Sequence, residues 1–168
     1  MKSMLLSFIF ITSTFLAACG GGDAGITPMQ TTQTRATLSF SAKAVGAPPT
    51  APLQVVRITV KLPLGASIKD VTTAVTGKAG QLDAGTLLYS TLDNTVSFSI
   101  MGVEIKLGDV FAEVKCDLAS GSSLDANSFK AVNSPLYPFL EMSGFDLVSG
   151  STVNFVNEIN IDMAVSLQ

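Results

Sequence analysis

From Ala36 onward, apolar and polar residues alternate in short runs separated by turn residues, the period-2 pattern of antiparallel strands with one packed and one wet face. The first run sets Leu38, Phe40, Ala42 and Ala44 against Ser39, Ser41 and Lys43. Residues 46–52, GAPPTAP, break it, because their three prolines have no amide proton to give to a ladder. Val56, Ile58, Val60 and Leu62 then face away from Arg57, Thr59 and Lys61, which makes the clearest early strand, and Pro63 and Gly65 end it. A weaker strand rich in Thr and Val is predicted over 68–75, a loop over the glycine-marked stretch 77–85, and a short apolar strand over 86–90. Asp93 and Asn94 read as a hairpin turn into 95–101, where Val96, Phe98 and Ile100 alternate with serines, and Gly102 marks the next turn.

The run 107–118 is the candidate central strand, with Val110, Ala112, Val114, Cys116 and Leu118 on the inner face and Phe111, Glu113, Lys115 and Asp117 on the outer one. After a loop at 119–123, one helical turn is predicted over 124–129, capped by Ser123 or Asp125, followed by a short strand over 129–132. Residues 135–140, PLYPFL, crowd bulky apolar side chains between two prolines and form no regular inner strand. Gly144 reads as a break and 149–151 as a turn. From Val153 to Leu167 the alternation is almost continuous with Asn157 on the apolar side, so a bulge or bend there makes two strands or one long curved one. About nine short strands and no amphipathic helix predict an all-β fold, an antiparallel β-sandwich of jelly-roll or Greek-key type. So many one-faced strands need a second sheet to bury against.

The N-terminus follows a different pattern. Lys2 gives a short positive region, Met4 to Phe15 are mostly apolar, and the run closes on Leu16, Ala17, Ala18 and Cys19 before three glycines. This is a secretory signal by pattern, and it is shorter than the roughly 20 apolar residues that span a bilayer. Leu16 to Cys19 resembles the lipobox of bacterial lipoproteins. The resemblance implies removal of residues 1–18 by cleavage between Ala18 and Cys19, a diacylglyceryl thioether on the Cys19 thiol and an acyl group on its new amine. Two or more chains hold a protein stably on its membrane where one does not. With Gly20 rather than an aspartate after the cysteine, the family's sorting pattern implies export to the outer membrane or cell surface. Residues 19–35, rich in Gly, Thr and Gln without periodicity, are then a lipidated N-terminus and flexible tether with a reach of roughly 20–25 Å, and 36–168 is the sandwich domain.

Composition narrows the chemistry. Loss of Lys2 with the signal leaves nine basic residues against 13 acidic ones, a formal charge of −4, which argues against nucleic acid, whose phosphates need cationic contacts. The chain has no histidine, which removes the commonest general base and metal ligand and with it a Ser-His-Asp triad or a zinc protease site. The carboxylates fall mostly at turns and on polar strand faces, with no pair in an aromatic groove such as glycoside hydrolysis uses. No enzyme activity and no cofactor beyond the lipid on Cys19 is expected. Asp93 with Asn94, and Asp125 with Asn127, offer the oxygen ligands calcium takes, but at too low a density of carboxylates, and such residues ordinarily make turns. With Cys19 committed to lipid, Cys116 has no partner for a disulfide, and its register places it in the core as a small hydrophobe. A carbohydrate platform calls for exposed aromatics, yet there is no Trp and only Tyr89 and Tyr137. The candidate apolar binding patch is Phe111 on the outer strand face together with Leu136, Tyr137 and Phe139, a loop whose other role is to cap an open end of the sandwich.

The layout also resembles the cohesin-like superfamily of nine-stranded jelly-roll sandwiches, related in shape to some carbohydrate-binding modules. The residues that carry the likeness are Val56 to Pro63 (VRITVKLP), then Leu107 to Val114 (LGDVFAEV) leading through a Gly/Ser turn to Phe129, Lys130 and Ala131. The resemblance implies a binding module that presents one sheet face to a protein partner. The expectation is therefore a lipid-anchored envelope module for protein–protein interaction. A carbohydrate-binding module, or an accessory subunit of an extracellular enzyme complex, is the alternative.

Overall fold

The alternating runs become strands because a period of two puts every apolar side chain of a run on one face, and the strands assemble into two facing antiparallel sheets. The structure is a computed structural model that describes residues 33–134 and 141–168. In chain order its elements are β1 (Arg35–Ala44), β2 (Val55–Lys61), β3 (Ala66–Ser67), α1 (Val71–Ala74), β4 (Val75–Gly77), β5 (Gln81–Leu82), β6 (Leu88–Ser90), β7 (Thr95–Met101), β8 (Val110–Leu118), α2 (Ala126–Val132), β9 (Glu141–Asp146), β10 (Ser151–Asn154) and β11 (Ile159–Leu167).

One sheet runs β11-β1-β8-β3, with β4 also paired to β8, and the other runs β10-β9-β2-β7-β5, with β6 also paired to β7. The all-β sandwich expected from the alternation is therefore the fold. The described residues hold 11 strands rather than about nine: β3, β4 and β5, two or three residues long, leave no alternating run to read, and β9 is also additional, while the strands expected over 68–75 and 129–132 do not form.

The core lies where the inward sets meet. Leu38, Phe40 and Ala42 of β1 and Ala112, Val114 and Cys116 of β8 face Val56, Ile58 and Val60 of β2 and Val96, Phe98 and Ile100 of β7, all buried. Phe40 and Phe98 meet edge to face across the two sheets, with ring centroids 5.8 Å apart at 64°. Both long sides of the sandwich are crossed by chain. On one side, residues 77–82 pass from β4 in the first sheet to β5 in the second. Gly80 sits at that crossing, where a Cβ would lie 2.6 Å from the Met101 carbonyl oxygen. On the other side, α2 spans the gap, with Phe129 buried beneath it and Asn133, just past its end, bonded to the outer edge of β2.

Several expectations are corrected. The Thr/Val-rich stretch 68–75 is not a strand: Asp70 takes the N–H of Thr72 at 2.9 Å and caps the single turn α1. The helix begun at Ala126 does not stop at 129 but continues to Val132, capped by a reciprocal Asp125–Ser128 box, so no strand forms over 129–132. Gly144 does not break β9 but lies inside it, because β9 passes so close to the Pro52 carbonyl that a Cβ would run into that oxygen. The long final run does divide. Residues 155–158 turn the chain from β10 in one sheet to β11 in the other, with the N–H groups of Glu158 and Ile159 both on the Phe155 carbonyl at 2.9 Å.

The most consequential correction concerns Phe111. In β8, Ala112 pairs with Phe40 and Val110 with Ser41, so Phe111 is an extra residue with no partner on β1, a β-bulge. The bulge turns Phe111 and Ala112 inward together, leaves Val110 half exposed, and lets the Phe111 carbonyl accept the Lys78 N–H at 2.8 Å.

Candidate interaction surface

The residues singled out by sequence do not come together. Ala18, Cys19, Leu136, Tyr137 and Phe139 lie outside the described residues. Phe111 is fully buried, so it adds nothing to an exposed patch. Asn94, a calcium candidate, is occupied by the fold: it adopts φ 53°, and its Nδ2 donates to the carbonyls of Ala66 at 3.0 Å, Leu62 at 3.1 Å and Pro63 at 3.3 Å. Three carbonyls converge there as they would on a cation, and the amide nitrogen fills the place. Its Oδ1 accepts the Tyr89 hydroxyl at 2.7 Å, which gives that tyrosine a structural role. Asp125 spends one carboxylate oxygen on the N–H and hydroxyl of Ser128, and these bonds hold its carboxyl below the usual carboxylate range. Among the described residues no three His, Cys, Asp or Glu side chains gather as a metal site would require.

Cys116 is buried as its register predicts. Desolvation, reinforced by the neighbouring Asp117 charge, pushes its thiol up to about 11. It borders a cleft of about 410 Å³ that also takes in Arg35, Lys69, Asp70 and Asp117. The charges there pair with one another, Lys69 at 2.9 Å and Arg35 at 3.8 Å from Asp117.

Exposed apolar side chains gather elsewhere, at one end of the sandwich. Here β1 ends, β2 begins, β7 leads through residues 102–109 into β8, and the β9–β10 hairpin reaches its tip. Val103 is 88% exposed, and Leu147 and Val148 at the tip are 86% and 97% exposed, with Phe145 and Val156 also open to solvent. Gln54 joins two of these segments. Its Oε1 accepts the Phe145 N–H at 2.9 Å and its Nε2 donates to the Val103 carbonyl at 3.2 Å. The proline-rich stretch 48–53 and the 104–107 loop add a cleft of about 300 Å³ at the same end.

The hairpin tip is a built turn. Asp146 accepts the Val148 N–H at 2.9 Å and the Ser149 hydroxyl at 2.8 Å, which lowers its pKa, and its carbonyl takes the Gly150 N–H at 2.8 Å. Gly150 supplies the φ of 67° that the turn requires. Leu147 and Val148 are thus displayed to solvent on a hydrogen-bonded turn, an apolar pair beside the half-exposed Phe145. Sequence reasoning missed this surface. Its one legible trace is the apolar pair Leu147-Val148 directly before Ser-Gly-Ser, in a place where turns ordinarily carry polar residues.

The opposite end is where the described chain enters. The N–H groups of Thr34 and Arg35 donate to the Gln168 carbonyl at 2.7 and 3.0 Å, and the Thr34 carbonyl accepts from Leu118 at 2.8 Å. Among the described residues no helix is long and apolar enough to cross a membrane. No protein-family model, no curated protein and no solved structure matches this chain.

Proposed function

We propose that this chain is a lipid-anchored module of the bacterial outer membrane or cell surface, held through Cys19, that binds a protein partner at the end of the sandwich farthest from its anchor. The observation that carries the binding half is polarity of placement: Val103, Phe145, Leu147 and Val148 gather at the end opposite Thr34. The lipobox residues Leu16 to Cys19 carry the anchoring half. A domain tethered at one end and apolar at the other suits a part that holds a partner near a membrane. The cohesin-like layout agrees with a binding role, while the surface favoured here is a loop end and not a sheet face.

The test is a photoreactive residue placed at Val148 in the full chain in intact cells. It should cross-link to a discrete protein, with the same residue at Ala164 on β11 giving none, and the pair Leu147→Ser with Val148→Ser should abolish the capture without lowering Tm. Retention on envelope polysaccharide with no protein cross-link would overturn this reading in favour of the carbohydrate-binding alternative.

A further inference from the structure

Two leucines stand in water at the end where the chain enters, and a continuous series of contacts ties them to that point. Leu64, 96% exposed, and Leu92, 92% exposed, occupy the turns that follow β2 and precede β7. Asn94 clasps the two turns together, since its Nδ2 bonds the carbonyls of Leu62, Pro63 and Ala66 on either side of Leu64. The neighbouring Gly65 carbonyl accepts the Ala119 N–H at 2.8 Å, and adjacent Leu118 donates to the Thr34 carbonyl at 2.8 Å. From Thr34 to Leu64 and Leu92 the path therefore runs through a few backbone hydrogen bonds and the Asn94 side-chain amide.

We infer that this end of the sandwich rests on the bilayer, with Leu64 and Leu92 inserted at the boundary of headgroups and acyl chains. The inference rests on the proposed lipid at Cys19. The tether expected from sequence ahead of Thr34, with a random-coil reach of roughly 20–25 Å, would keep this end, and not the opposite one, facing the membrane at high effective concentration. Two apolar side chains that would be too few to bind a free protein to lipid are enough once a covalent anchor has supplied the encounter. The exposed cations of this end, Arg35, Lys61, Lys69 and Lys115, are nearly matched in number by Asp70, Asp93 and Asp117, with Arg35 and Lys69 both turned to Asp117, so electrostatics contribute little. The contact is thus apolar and indifferent to salt. It also fixes the orientation of the domain, so that the Val148 end points away from the bilayer.

The experiment uses the full lipidated chain in vesicles of phosphatidylethanolamine and phosphatidylglycerol. An environment-sensitive fluorophore is attached at Leu64→Cys, Leu92→Cys or, as a control, Leu147→Cys. Buried Cys116 stays unlabelled in each, and incorporation of an alkyne fatty acid reports the lipid on Cys19 separately. Doxyl-labelled phospholipid should quench the probes at 64 and 92 at least threefold more than the probe at 147, equally in low and high salt. Acylated protein whose probes at 64 and 92 are no more quenched than the probe at 147 overturns the inference and leaves the anchor standing. Probes at 64 and 92 shielded from a water-soluble quencher but not reached by the lipid quencher show a protein covering this end, and likewise overturn it. Absence of fatty acid on Cys19 overturns the anchoring reading itself, and this inference with it.

Discussion

The side-chain amide of Asn133 takes the place of a missing strand beside Lys61. Its Oδ1 accepts the Lys61 N–H at 2.8 Å and its Nδ2 donates to the Lys61 carbonyl at 2.7 Å, the two bonds a neighbouring strand residue would make. The same nitrogen reaches back to the Phe129 carbonyl at 2.8 Å, so one buried amide fastens α2 to the edge of β2.

Replacement of Asn133 by Ala leaves a backbone donor and two acceptors without their partner. The expected loss is about 2–3 kcal/mol, the usual cost of unsatisfied buried groups. Urea denaturation should show a lower midpoint at unchanged m-value, and Asn133→Asp, which keeps the acceptor and loses both donor bonds, should fall well short of wild type.

At Asn94 two effects separate by substitution. Asn94→Gly tolerates the φ of 53° and loses only the bonds to three carbonyls and Tyr89, at about 2 kcal/mol. Asn94→Ala loses the same bonds and adds the strain of a left-handed residue, about 1 kcal/mol more. Thermal unfolding of the pair measures the difference, and equal Tm values would contradict the assignment.

Cys116 gives the chain a pH-dependent term on the alkaline side. A thiol raised from 9.0 to about 11 binds its proton more tightly in the folded state, so its contribution is complete below pH 9 and drains away as pH climbs toward 11. Stability measured at pH 8 and pH 10.5 should fall less in Cys116→Ala than in wild type. Native protein at pH 8 should resist maleimide and react only on unfolding.

Two glycines of the β9–β10 hairpin should behave differently. At Gly144 an added Cβ meets the Pro52 carbonyl and, at 3.0 Å, the Phe155 ring, so Gly144→Ala should cost about 3 kcal/mol. At Gly150 nothing lies within 4 Å of an added Cβ, and Gly150→Ala should cost only the strain of its φ of 67°, about 1 kcal/mol. Denaturation midpoints of the two variants check the ranking.

The inward faces of β1, β2 and β7 follow from alternation, since within a strand a period of two is decided by neighbouring residues alone. Phe111 was misplaced because a bulge is decided across strands, by Ala112 having to sit opposite Phe40 while Phe111 finds no counterpart. The short strands were invisible for a related reason. Along the edge of β7 the Thr86 hydroxyl accepts the Ser99 N–H at 2.9 Å between β5 and β6, a side chain standing in for backbone as Asn133 does on β2, and no hydropathy pattern encodes that substitution. The exposed surface around Val148 was illegible for want of topology. Leu147 and Val148 resemble the end of any strand until β9 and β10 are known to pair only with each other beyond Ser143. Asn94 shows the opposite case: its turn was readable from Asp-Asn, while the three carbonyls it gathers come from a segment some thirty residues earlier.

The pairing of β1 with β11 bears on export. Every rung between them, from Ala36 with Leu167 to Ala44 with Ile159, joins residues well over a hundred positions apart. If the chain is exported as proposed, its first strand to emerge has the last strand as its neighbour on one side, and loop-closure entropy would delay that pairing until the whole domain has crossed. Under the proposed export, such a chain would stay threadable for as long as it is being moved and would close its sheet only on the far side.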